Sequence, residues 1–180
     1  VDMGTGNVVA GSSAVVLPGG VVGSNFAVVE SNVNKLNSKL FATQNNAGTT
    51  DVMAYDVSEA TGITGPVKFA SATGITCTDI SGEGELAISK DGKLLAWYNF
   101  DGPATMGGLF PSPKIQVFDL DEEFNITTLN TTIPIGSSAI VNSSVEFSKY
   151  QGILYYTVFD GVSSGSLNSY DLANPLTPPF

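Results

Sequence analysis

The sequence predicts an all-β protein made of β-propeller blades, about three four-stranded antiparallel units belonging to a larger propeller. Three observations predict it. The segment Glu85 to Gly102 returns without a gap 59 residues later as Ser144 to Gly161, with Ser89/Ser148, Lys90/Lys149, Leu95/Leu154, Phe100/Phe159, Asp101/Asp160 and Gly102/Gly161 identical. A repeat of that length is a supersecondary unit used more than once. Each copy is followed by a matched piece, KIQVFDL at Lys114 to Leu120 and SLNSYDL at Ser166 to Leu172, and DVMAYDV at Asp51 to Val57 is an earlier instance. Short runs rich in Val, Ile, Thr, Tyr and Phe, bounded by Gly, Asn, Asp, Ser and Pro, recur along the chain, and four short antiparallel strands per repeat is a blade signature.

Taken in order, the units are 1–25, a remnant with apolar runs at Val8-Val9 and Ala14 to Leu17; 26–80; 81–138; and 139–180, which is incomplete. In the second unit the strands fall at Phe26 to Glu30, Leu40 to Gln44, Val52 to Val57 and Val67 to Ala72. In the third, Leu86 to Ser89 leads through the turn Lys90-Asp91-Gly92-Lys93, where Gly supplies a positive φ, into Leu94 to Phe100, followed by Ile115 to Leu120 and Ile126 to Ile135. The last unit repeats three of these at Val145 to Ser148, Ile153 to Phe159 and Leu167 to Leu172. Its connecting loop is shorter, because Asp119 and Asp171 are 52 residues apart rather than 59. Surface loops tolerate that kind of variation. The recurring apolar positions Ile88, Leu95, Ile115, Val117, Phe147, Leu154 and Leu167 are the expected core.

Composition narrows the chemistry. All seven basic residues are Lys, there is no His, and seventeen acidic residues leave a net charge of −10. Nucleic-acid phosphate and anionic lipid are repelled by such a chain. The absence of His removes Ser-His-Asp and Cys-His catalysis and most transition-metal sites. Cys77 is the single cysteine, so no disulfide forms within the segment, and its strand-like surroundings suit a small core hydrophobe. No apolar run reaches the ~20 residues of a spanning helix. Val1 reads as an internal residue of a longer chain.

With the units placed, the chain resembles the propeller region of very large secreted Bacteroidota proteins, those that end in a gliding-motility-associated sorting domain and leave by the type IX secretion route. The matching pieces are Val1-Asp2-Met3 with GNVVAG, KLFATQNN ahead of a YDV strand, GELAISKDGKLLAWYNF with KIQVFDL, and SSVEFSKYQGILYY with SLNSYDL. Ser89-Lys90 and Ser148-Lys149 stand where that family favours Ser-Pro, and Tyr150-Gln151-Gly152 replaces an Asp-Gly turn. The resemblance implies an extracellular or cell-surface module for protein or glycan binding, whose partner is a protein or glycan at the loop rim or the remaining blades of the same parent chain.

The candidate contact residues are Asp101, Phe110 and Asp160, in the loops that follow the second strands and differ most between units. Asp101 and Asp160 also start Asp-Gly turns. Asp56, Asp119 and Asp171 recur after an aromatic residue, where a carboxylate accepts turn hydrogen bonds. The run Asp119-Leu120-Asp121-Glu122-Glu123 holds the calcium candidates Asp119, Asp121 and Glu122, without the spacing of a dedicated loop. Of Trp97, Tyr98, Tyr155 and Tyr156, half should be core and the rest available as an aromatic platform. No acid/base pair recurs outside turn positions, so the expectation is a non-enzymatic protein without a cofactor. A structural spacer and a carboxylate- or calcium-dependent propeller hydrolase or lyase are the alternatives, the latter requiring acidic residues from different units to converge.

Overall fold

The computed structural model describes residues 21–30, 38–46, 49–58, 62–68, 85–101, 112–135, 144–149, 152–159 and 165–174. They form three antiparallel sheets with no helix among them. The first sheet has β1 (Val21–Glu30), β2 (Ser38–Asn46), β3 (Thr49–Ser58) and β4 (Gly62–Lys68) in that order. The second has β5 (Leu86–Ile88), β6 (Leu94–Asp101), β7 (Ser112–Leu120) and β8 (Ile126–Pro134). The third has β9 (Val145–Phe147), β10 (Ile153–Phe159) and β11 (Gly165–Asp171).

The second and third sheets are the same structure written twice. Leu86 pairs with Trp97 as Val145 pairs with Tyr156, and Leu95 pairs with Phe118 as Leu154 pairs with Tyr170. Hydrogen bonds outside the ladders repeat too: the Ser89 amide donates to the Leu94 carbonyl at 2.9 Å and the Ser148 amide to that of Ile153 at 2.8 Å. The Tyr98 amide reaches the Glu85 carbonyl at 2.9 Å, and the Thr157 amide reaches that of Ser144 at the same distance. Gly92 and Gly152 close the two first hairpins at φ 72° and 91°, a region in which glycine carries no Cβ penalty. The first sheet follows the same scheme, since Leu40 faces Tyr55 as Leu95 faces Phe118.

Strand alternation gives each sheet two faces. In the first sheet Phe41, Val52 and Ala54 join the main core with the second and third sheets, whereas Ala42, Met53 and Tyr55 form a separate cluster with Leu40 on the opposite face. By register, Leu95, Trp97 and Phe118 of the second sheet share the orientation of Leu40, Ala42 and Tyr55, and Ala96, Tyr98, Ile115 and Val117 share that of Phe41, Ala54 and Val52. The second sheet is therefore apolar on both sides and lies between its neighbours. Backbones approach most closely along the first strands, where β5 lies against β1 and β9, while β4 and β8 approach no neighbouring sheet among the described residues.

Four expectations change. Leu167 is 69% exposed although its equivalents Ile115 and Val52 are buried, because its face of the third sheet meets no further sheet among the described residues. Ile88 is only partly buried, packed at the margin of the core. Trp97 and Tyr98 are both fully buried rather than one of the two, since a sheet covered on both faces has no outward side. In the third sheet the expected alternation holds, with Tyr156 buried and Tyr155 39% exposed. The strand placed at Val67 to Ala72 runs instead over Gly62–Lys68, with residues 69–72 outside the described set. Gly65 at φ 115° and Pro66 read as punctuation in sequence, yet here they accompany a register shift within an outer strand. Cys77 and the segments Val8-Val9 and Ala14 to Leu17 also lie outside the described residues.

Leu95→Ala and Leu154→Ala are expected to lose about 2–5 kcal/mol in denaturant unfolding, the range for emptying a filled core site. Leu167→Ala should stay within about 0.5 kcal/mol of the parent, as surface substitutions do. A loss at Leu167 equal to that at Leu95 would show that its face is covered in solution.

Candidate functional site

The side chains singled out in sequence separate into places of different character. Asp101 is the last residue of β6, paired with Ser112, and the loop it opens, including Phe110, lies outside the described residues, as does Asp160. The strands on either side bring the ends of these loops to fixed positions: Asp101 to Ser112 in the second sheet and Phe159 to Gly165 in the third.

Asp119 and Asp121 are occupied by the turn and strand that follow them. Asp119 Oδ2 accepts from Thr128 Oγ1 and Oδ1 from Asn130 Nδ2, both at 2.8 Å, so both oxygens are engaged by β8. Asp121 Oδ1 accepts the amides of Glu123 at 2.9 Å and Asn125 at 2.8 Å, and Oδ2 accepts Asn125 Nδ2 at 3.1 Å. This turn places Phe124 at φ 60°, an uncommon conformation for a residue with a Cβ. Slight burial would raise the Asp121 carboxyl, but the Asn125 amide and side chain, the Glu123 amide and the Lys39 ammonium outweigh it and hold it below the ordinary aspartate value. Glu122 is exposed beside them. Among the described residues no three of His, Cys, Asp and Glu converge into a group fit to hold a metal ion.

Lys39 ties this turn to the first sheet. Its Nζ donates to Asn125 Oδ1 at 2.6 Å and lies 3.7 Å from Asp56 Oδ1. The repeated aspartates thus do different work: Asp56 faces a lysine, Asp119 receives the fourth strand, and Asp171 Oδ1 accepts the Ala173 amide at 2.9 Å in a turn. Among the described residues, only Asp171 shows the turn role expected of all three.

A shallow cleft that no single motif marks lies between the second and third sheets, lined by Ser89, Lys90, Asp91, Leu94, Phe147 and Ser148 with Lys149 and Gly152. It forms because equivalent hairpin turns of neighbouring sheets sit side by side. Ser89 Oγ donates to Asp91 Oδ1 at 2.7 Å and accepts the Leu94 amide at 2.9 Å, which fixes the turn. Burial would raise Asp91, yet the Ser89 hydroxyl, the Lys93 amide and the Lys93 charge together lower it. The surface of the cleft is mainly apolar, with Leu94 and Phe147 beside a Ser89–Asp91 pair that is already occupied by its own hydrogen bond, so it is a shallow recess rather than a site for proton transfer. The signal in sequence was the repeated Ser-Lys pair, visible as a repeat but not as a neighbour of itself.

One carboxylate pair spans two sheets. Glu146 is raised by partial burial and by the charge of Glu85. Glu85 Oε2 in turn accepts the Val145 amide at 3.1 Å, joining the start of β5 to that of β9. No helix of the described residues is long and apolar enough to cross a membrane. In comparisons with known proteins, no family model, no curated protein and no solved structure matches the chain.

A carboxylate depressed on folding stabilises above its unfolded value, and that contribution is lost as pH falls through the folded value. The parent should therefore lose thermal midpoint as pH drops below about 4, the ordinary range for Asp. Asp121→Asn should start lower at pH 7 and fall less steeply on acidification. Parallel curves for the two proteins would show that the turn does not depend on this ionisation.

Proposed function

We propose that the three sheets are consecutive blades of a β-propeller and that the protein is an extracellular or cell-surface binding module of a large secreted bacterial protein, engaging protein or glycan through its loops. The observation that carries this reading is the relation among the sheets: three copies of one register, approaching along β1, β5 and β9 and parting toward their outer strands. Sheets arranged radially around an axis have this geometry. The likeness of the repeats to type IX-secreted Bacteroidota propellers supplies the compartment, and an Arg-free surface rich in Thr, Ser and Asn suits it. In this reading the loops opened by Asp101 and Asp160, with Phe110, form the contact rim, and the Ser-Lys cleft is an additional shallow recess between blades. A spacer role in a surface fibre shares the architecture and differs in having no ligand.

A carboxylate-dependent hydrolase or lyase is favoured by the approach of Glu85 and Glu146 from neighbouring sheets. Against it, Glu85 is committed to the Val145 amide. The pair joins two strands more directly than it offers an acid and a base to a substrate.

Replacing Asp101 to Pro113 by the shorter Asp160 to Gly165 sequence should abolish signals on a glycan array or against immobilised surface-protein fractions while the far-ultraviolet circular dichroism stays unchanged. Unchanged capture by that variant would move the contact surface away from the loops. Turnover of polysaccharide or peptide substrates by the purified protein, lost in Glu146→Gln, would replace the binding reading with the enzymatic one.

A further inference from the structure

The third strands β3, β7 and β11 are equivalent, yet among the described residues two of them are covered and one is not. β4 lies on β3 and β8 on β7, whereas among the described residues β11 pairs only with β10. The covering strands share a feature of chemistry. In both, a Thr stands opposite the repeated aspartate: Thr64 opposite Asp56 and Thr128 opposite Asp119. In the second sheet that Thr hydroxyl donates to the carboxylate at 2.8 Å, and Asn130, two residues on and on the same face, donates to its other oxygen.

The edges differ as well. β4 carries Pro66 and a register shift, and β8 carries two register shifts and ends on Pro134. Bulges and prolines are devices that stop a strand from accepting another. β11 has none of them. It pairs with β10 over seven consecutive positions without a shift, and it contains no Pro and no Lys. The Leu172 amide donates to the Gly152 carbonyl, so even-numbered residues of β11 bond to β10 and the amides and carbonyls of Gly165, Leu167, Ser169 and Asp171 point to the open side.

We propose that this edge is an acceptor site for one antiparallel β-strand, an uncharged Thr/Ile-rich segment with the pattern Thr-x-Asn that sets its Thr opposite Asp171. The backbone of Leu167 and Ser169 supplies the ladder, and the Asp171 carboxylate, whose Oδ1 already accepts the Ala173 amide, sets the register chiefly through Oδ2, the oxygen that in Asp119 takes the Thr128 hydroxyl. Strand addition of this kind draws affinity from main-chain hydrogen bonds and specificity from side chains. The inference stands on strand register and is separate from the loop reading above, so the loop graft and the following test fail independently.

The probe is a capped, fluorescent peptide of the β8 sequence ITTLNTTIP, titrated against the full chain and followed by anisotropy. Saturable binding is expected, weakened about tenfold or more when the peptide carries Thr128→Val with Asn130→Val, the loss that removing hydrogen bonds to a charged acceptor produces. Ser169→Pro in the protein should abolish binding, because it removes an outward amide and no bond to β10. If that variant fails to fold, the peptide pair still decides. Absence of saturable binding, or equal binding of the two peptides, overturns the proposal. So does strong hydrogen-exchange protection of the Leu167 and Ser169 amides in the free monomer, which would mean the edge is already covered by the chain itself. A concentration-dependent dimer that excludes the peptide would assign the edge to a second copy and overturn it equally.

Discussion

Everything in this structure depends on the burial of the second sheet from both sides. Its inner positions carry Leu95, Trp97 and Phe118 on one face and Ala96, Tyr98, Ile115 and Val117 on the other, all withdrawn from water. A single antiparallel sheet of this size has one face to bury and gains little by itself. Stacked between two copies of its own design it buries two, and each Leu-sized side chain removed from water contributes about 1.5–3 kcal/mol. Along β6 the large Trp97 fills one face and the small Ala96 the other, both withdrawn from water, whereas along β10 only Tyr156 turns into the core and Tyr155 is left outside. The polar links at the margins, Lys39 to Asn125 and Glu85 to Val145, align sheets that apolar contact already holds together.

Much of that architecture was readable in the sequence because it is repeated. The gapless 59-residue offset places β5, β6, β9 and β10 within a residue or two, and the aromatic-Asp motif locates β3, β7 and β11. What sequence could not supply is the environment of a face. Leu167 and Ile115 occupy the same register position and the same kind of strand, and only the presence of a neighbouring sheet separates buried from exposed. The same blindness made Trp97 and Tyr98 look like one inward and one outward residue. Outer strand β4 lies several positions earlier than the Val67 to Ala72 run suggests, because an edge strand accommodates Gly65 and Pro66 within it.

The candidate site was legible to a smaller degree. The repeated aspartates were visible, and their shared position suggested one shared role. The structure assigns three partners, a lysine, a strand and a turn amide, because the segment after each aspartate differs. The Ser-Lys cleft escaped notice for the opposite reason: each turn alone is ordinary, and the recess exists only where two of them stand together.

The unequal covering of the sheets has a dynamic consequence. Among the described residues the third sheet has three strands and meets the rest of the core through one face, while Tyr155 and Leu167 on its other face are exposed. In stacked repeats, stability is roughly a sum of unit terms and nearest-neighbour terms, so a unit with one neighbour opens more readily than a unit with two. Yet the third sheet cannot leave at small cost, since its departure would wet Ala96, Tyr98, Ile115 and Val117 behind it. Among the described residues, the sheet with the exposed face is thereby also the seal on the most apolar one.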